Sequence, residues 1–200
     1  MTGPSKPSGY LALLWFVVQP NSIAHAGDQW AMVATHSQLQ FTATYDQSPF
    51  DGHFDSFDVA LVFDPDQPAG ADLLVRVKLS SVNTENDDRD TALAEGEWFD
   101  FKHHPWSEFR AKGFVQSGAN QYVADGRLSL KGITRPVRVQ FDWTELGDNR
   151  INLRGTARMA GNAIINRLHF DVGTGDWADD GLIGHRVEVR FNLFLEHSTD

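Results

Sequence analysis

From Gln29 onward, apolar residues fall on every second position. Leu39, Phe41, Ala43 and Tyr45 share one face, with Gln38, Gln40, Thr42 and Thr44 on the other. After a turn expected at Gly52, Phe57, Val59, Leu61 and Phe63 alternate with Ser56, Asp58, Ala60 and Val62. Residues 64–70 are punctuated by Pro65, Pro68 and Gly70 and read as a loop. Leu73, Val75, Val77 and Leu79 mark a further half-buried strand. The alternation resumes over Phe109–Val115 and Gln121–Leu130. Beyond a hairpin at Lys131 to Arg135, a strand is expected to open at Pro136, where a missing N–H costs least. Val137, Val139, Phe141 and Trp143 face one way in it. A turn at Gly147-Asp148-Asn149 then leads to Ile151, Leu153, Gly155, Ala157 and Met159. The last strand alternates most cleanly, through Val187, Val189, Phe191, Leu193 and Leu195.

About eight strands at hairpin spacing, with no βαβ pattern, predict one all-β antiparallel sheet, closed as a barrel or folded as a sandwich. Closure removes exposed edges, and an eight-stranded barrel is just wide enough for one small ligand. One segment, Asn86 to Phe109, breaks the pattern. It begins Asn86-Asp87-Asp88-Arg89-Asp90, which reads as a capped helix start with acids in the first turn, where the helix dipole favours them. Arg89 and Asp90 are candidates to tie that helix to the rim. Trp98, Phe99, Phe101, Pro105 and Phe109 follow, so the segment reads as a lid. Residues 176–181 read as a solvated loop, with Trp177 either covering a barrel mouth or packing under its own loop.

The chain has 200 residues, 41% hydrophobic and 22% charged, enough for one domain with a sizeable core. A net charge of −10, from 27 acids and 17 basic residues, disfavours nucleic acid and anionic membrane surfaces. There is no cysteine, so disulfides, thiolate metal sites and cysteine nucleophiles are excluded. Near the N-terminus, Lys6 precedes the apolar run Tyr10–Val18, Pro20 and Asn21 break it, and Ala24-His25-Ala26 has small-x-small spacing. Residues 1–26 are thus expected to be a cleaved export signal and 27–200 the domain, with a buried N-terminal helix as the alternative.

The motifs His36-Ser37-Gln38-Leu39, Gly52-His53-Phe54, Trp98-Phe99-Asp100, Gly126-Arg127-Leu128, Thr134-Arg135-Pro136-Val137, Asn166-Arg167-Leu168-His169-Phe170 and Gly184-His185-Arg186-Val187 occur in an order that resembles the YceI-like family. The resemblance implies a periplasmic, lipocalin-like, eight-stranded barrel with one short helical lid. It implies an apolar interior holding the tail of a polyisoprenoid, either a polyprenyl phosphate or an isoprenoid quinone. It also suggests company with a cytochrome b561-type membrane protein. After Phe170 the chain departs from the motif, since Asp171 and Val172 precede Gly173.

Fourteen Phe, six Trp and three Tyr supply apolar wall or core. At about 25 cal/mol per Å², burying one isoprenoid unit gains on the order of 3 kcal/mol before ordering costs. Phe41, Phe54, Phe57, Leu61, Trp98, Phe99, Phe101, Phe109 and Phe170 are the candidate lining or covering residues, and Arg89 the candidate charged contact at the mouth. No G-x-S-x-G or H-E-x-x-H occurs, and the acids around Arg89 lack EF-hand spacing, so neither an enzyme nor a metal site is expected. His103 and His104 are adjacent, which would send them to opposite faces of a strand. A solid-cored module docking on a membrane redox protein is the alternative to a lipid binder.

Overall fold

The computed structural model describes residues 27–148, 155–179 and 181–198. The expected export signal and the positions Ile151 and Leu153 lie outside them. Twelve strand segments form the sheet: β1 (Gln29–Met32), β2 (Gln38–Tyr45), β3 (Ser48–Phe54), β4 (Phe57–Val62), β5 (Asp72–Lys78), β6 (Val82–Asn83), β7 (Trp106–Lys112), β8 (Val115–Gln116), β9 (Gln121–Leu130), β10 (Ile133–Asp148), β11 (Gly155–Asn166) and β12 (Arg186–His197). All pairings are antiparallel, and β1 closes on β12 through Trp30 opposite His197, so the sheet is an eight-stranded barrel. Each of the first four strands is broken midway, giving β1/β2, β3/β4, β5/β6 and β7/β8; β9 to β12 run unbroken.

The breaks bond to one another. At the kink between β3 and β4, Asp55 N–H donates to Ser81 O at 3.0 Å and Ser56 N–H to Ser81 Oγ at 3.0 Å, just where β5 gives way to β6. Asp55-Ser56 carries no Gly or Pro, so the alternation alone did not announce it.

Two tight turns use positive φ at both central residues, the geometry that matches strand twist in a two-residue hairpin. These are Asp46-Gln47 (φ 45° and 61°) and Lys131-Gly132 (φ 50° and 75°). The second turn is shorter than expected, and β10 starts at Ile133. Pro136 therefore lies inside β10, opposite Arg127. Counted from the turn it falls at a non-hydrogen-bonded position towards β9, and β11 pairs only from Val139, so its missing N–H leaves no gap. Gly52 is also not a turn residue: it sits within β3 opposite Phe41. The strand expected from Phe109 begins at Trp106.

The barrel interior has two ends of different character. At one, Trp30, Phe63, Phe114, Tyr122, Phe141 and Trp143 fill the lumen, with Trp30 Nε1–H donating to Phe63 O at 2.9 Å. At the other, the inward side chains border a hollow. The change of character falls between successive inward positions: Val139 borders the hollow and Phe141 does not, and likewise Val59 and Leu61, Phe109 and Ala111, Leu193 and Leu195.

Candidate ligand cavity

The hollow is a blind cavity of about 660 Å³, closed below by the filled end and walled by apolar side chains. That volume falls within the roughly 300–1,000 Å³ typical of small-molecule sites. Its aromatic wall is a run of rings: Phe50 and Phe54 lie 6.5 and 5.7 Å from Phe41, and Phe99 lies 6.3 Å from Phe54, with Phe101 stacked on the outer side of Phe99 at 6.1 Å.

Two glycines let rings lie flat against this wall. A Cβ on Gly52 would collide with the Phe41 ring, and one on Gly126 with the Phe109 ring. Glycine inside a strand normally weakens it, but here the ring of a neighbouring strand takes the place of its side chain. The rings therefore line the lumen without filling it.

A first strap, between β6 and β7, crosses the mouth. Its helix α1 (Asp87–Leu93) is capped by Asn86, whose Oδ1 accepts from Arg89 N–H at 2.9 Å. Buried Thr84 ties it down. The Asp90 carboxylate accepts from Thr84 N–H at 3.0 Å and Oγ1–H at 2.6 Å, while Arg89 Nε–H donates to Thr84 Oγ1 at 2.8 Å. Ala92 and Leu93 face the cavity from this helix, and Trp98 and Phe99 from the turns after it. Below them, the His103 ring nitrogen lies 2.8 Å from an Asp100 oxygen, which holds that carboxyl below the usual carboxylate range.

A second strap joins β11 to β12; the sequence marks residues 176–181 of it as a solvated loop, with Trp177 a candidate cover for the mouth. The structure places Val172, Trp177 and Ile183 of this strap on the cavity. Arg167 holds it. Only 3% exposed, its guanidinium donates to the carbonyls of Gly184 (3.1 Å), Val172 (2.9 Å) and Ile183 (2.8 Å), and also to those of Gly173 and Trp177. Five carbonyl acceptors compensate the burial of one cation, which pulls its pKa down. The straps are stitched together where Gly173 N–H donates to Glu97 O at 2.7 Å, and Trp177 lies 5.8 Å from Trp98. Lys131, whose pKa is lowered by burial, adds a bond to Asp171 O at 2.7 Å.

Of the ten residues singled out in the sequence, Phe41, Phe54, Phe57, Arg89, Trp98, Phe99 and Phe109 border the cavity. Leu61 does not; it is one inward step too deep and belongs to the filled end. Phe101 is held outside by stacking on Phe99. Phe170, 2% exposed, packs in the cluster beneath the second strap. Arg89 rests its guanidinium 4.0 Å from the Phe50 ring centre, and beside it Asn86 and Asp88 give the rim its polar groups. Arg167, whose motif was visible but whose role was not, is the main residue the sequence reading missed. Its signal was a cation set among apolar residues after a strand.

Comparison with known proteins agrees with this architecture. A family profile described as the YceI-like domain matches residues 30–195, so the chain belongs to the YceI-like family. A UPF0312 protein of Staphylococcus aureus is 26% identical over 82% of this chain and 93% of its own length. One from Azotobacter vinelandii is 30% identical over 43% of this chain and 45% of its length, so the chain spans about half of that relative. Among solved structures, BcnA of Burkholderia cenocepacia superposes with a TM-score of 0.76 at 25% identity, covering 82% of this chain and 98% of BcnA. A domain from Saccharophagus degradans, described as polyisoprenoid binding, gives 0.65 at 18% identity over 87% of this chain and all of that one, and shares the fold.

Proposed function

We propose that this protein binds an amphiphilic polyisoprenoid, tail inward, in the blind cavity, with the head group at the rim of α1. The observation that carries the proposal is the hollow itself: about 660 Å³ of mainly apolar lumen, whose polar lining groups are Asn86, Asp88 and Arg89 at α1, with Tyr45, Ser107 and Arg167 elsewhere on its wall. A solid-cored module would have no use for such a void, which forfeits packing contacts in the free protein. The polyisoprenoid-binding description of the Saccharophagus degradans neighbour supports the same ligand class.

At about 30 Å³ per carbon-sized group, the cavity takes on the order of 20 carbon atoms, or about four isoprene units. Their burial is strong enough, at about 25 cal/mol per Å², to make the tail the main source of affinity. Arg89, resting on Phe50, is placed to meet an anionic or carbonyl-bearing head. The reading is one of binding and carriage, without chemistry on the ligand. Residues 1–26 support export to the periplasm as part of this proposal, and a cytochrome b561-type partner belongs to its quinone form. Titration of lipid-free protein with prenyl phosphates and prenyl quinones tests it. Saturable one-to-one uptake with a negative heat-capacity change is expected; absence of uptake for both head groups overturns it.

A further inference from the structure

The cavity ends abruptly. On β11 the inward positions run Ile165, Ala163, Gly161 and Met159, and Met159 is the deepest of them to face the hollow. It is 1% exposed and also belongs to the filled end. Gly161 contributes no side chain between Ala163 and Met159, and a Cβ there would collide with the Gln140 carbonyl oxygen and with Cα and Cβ of Phe141. Trp143 lies opposite Met159 on β10, and one inward step nearer Val139, opposite Gly161, the Phe141 ring sits 5.2 Å from Phe114, stacks on Tyr122 at 5.5 Å, and lies 6.2 Å from Phe63. A close-packed ring cluster of this kind does not compress to admit further ligand.

We propose that Met159, set at the edge of this filled cluster, is an end-stop that sets how many isoprene units the protein can bury, so that the barrel measures its ligand by tail length. The proposal rests on the binding reading above and adds to it a residue and a number. A tail enters from the rim of α1, runs past Ala163 and stops at Met159. Units beyond about the fourth remain outside the lumen and add no affinity. From Val187 to Leu193 the cavity wall on β12 runs six residues, or roughly 20 Å along the strand at about 3.3 Å per residue, a length compatible with that count.

The test is a series of prenyl phosphates, one head group with tails of increasing length, titrated into the lipid-free protein and two variants. For the wild type, affinity rises by at least about tenfold per unit up to about four units and is flat beyond. Ala163→Phe places a ring in the void above the floor, and its plateau begins at least one unit earlier. Met159→Ala lowers the floor, and the gain continues into the next unit. Should Met159→Ala fail to fold, Ala163→Phe decides alone. A wild-type affinity that climbs without a plateau, or a plateau that Ala163→Phe leaves in place, overturns the end-stop and spares the binding reading. Failure of the wild type to bind any tail overturns the binding reading itself.

Discussion

The guanidinium of Arg167 stands 5.7 Å from the ring centre of Trp98, so the two straps across the barrel mouth meet on one buried cation. Trp98 comes from the first strap, and all five carbonyls bound by Arg167 belong to the second strap or its junction with β12. Lysine cannot reproduce that fork, having a point charge and three donors. Arg167→Lys is expected to cost about 1–3 kcal/mol in urea unfolding, the range for leaving buried carbonyl acceptors without a donor. Faster amide exchange over residues 172–184 should accompany it.

Gly52 and Gly126 give a second expectation. Alanine at either site drives the Phe41 or Phe109 ring off the wall and into the lumen. Gly52→Ala should cost about 1–3 kcal/mol, as overpacking does, which for a chain of this size lowers the melting temperature by roughly 2–12 °C. It should also weaken tail uptake. Thermal melts and titrations on the same variant check both halves.

The first strap should loosen locally. Asp90→Ala removes the acceptor from Thr84 N–H and Oγ1–H, and is expected to cost about 1–3 kcal/mol. Hydrogen exchange should rise over 84–104 and stay slow in β9 to β12. A uniform rise along the chain would mean the strap is not a separate unit.

Asp100 supplies a pH dependence. Its pKa is lowered in the folded protein by the His103 hydrogen bond, so its contribution is complete above the unfolded value near about 3.9 and is lost as pH falls through the lower folded one. Asp100→Asn keeps a residue tolerant of φ 53° while removing the charge. Exchange of strap amides should therefore differ between the two proteins above about pH 4, and the difference should vanish in strong acid.

Much of this architecture was legible because a period of two separates inward from outward residues. The same signal cannot separate hollow from filled. Val139 and Phe141 are both apolar, both inward and two residues apart, yet the cavity ends between them; Leu61 was misplaced for that reason. The first strap was readable because Asn86 and the acids after it are a local capping signature. In the second, Trp177 was readable as a candidate cover for the mouth, but its anchoring was not, because backbone carbonyls hold the strap and these carry no side-chain code. Only Arg167, distant in sequence from most of them, reveals the clamp.

The central claim is that the lumen holds a prenyl tail. Its most direct test is organic extraction of the protein purified from cells that make it in its native form, followed by mass spectrometry of the extract. The account predicts a stoichiometric lipid built of repeating five-carbon units. An extract with no such lipid, from a protein that also refuses added prenyl quinones and prenyl phosphates, would contradict it.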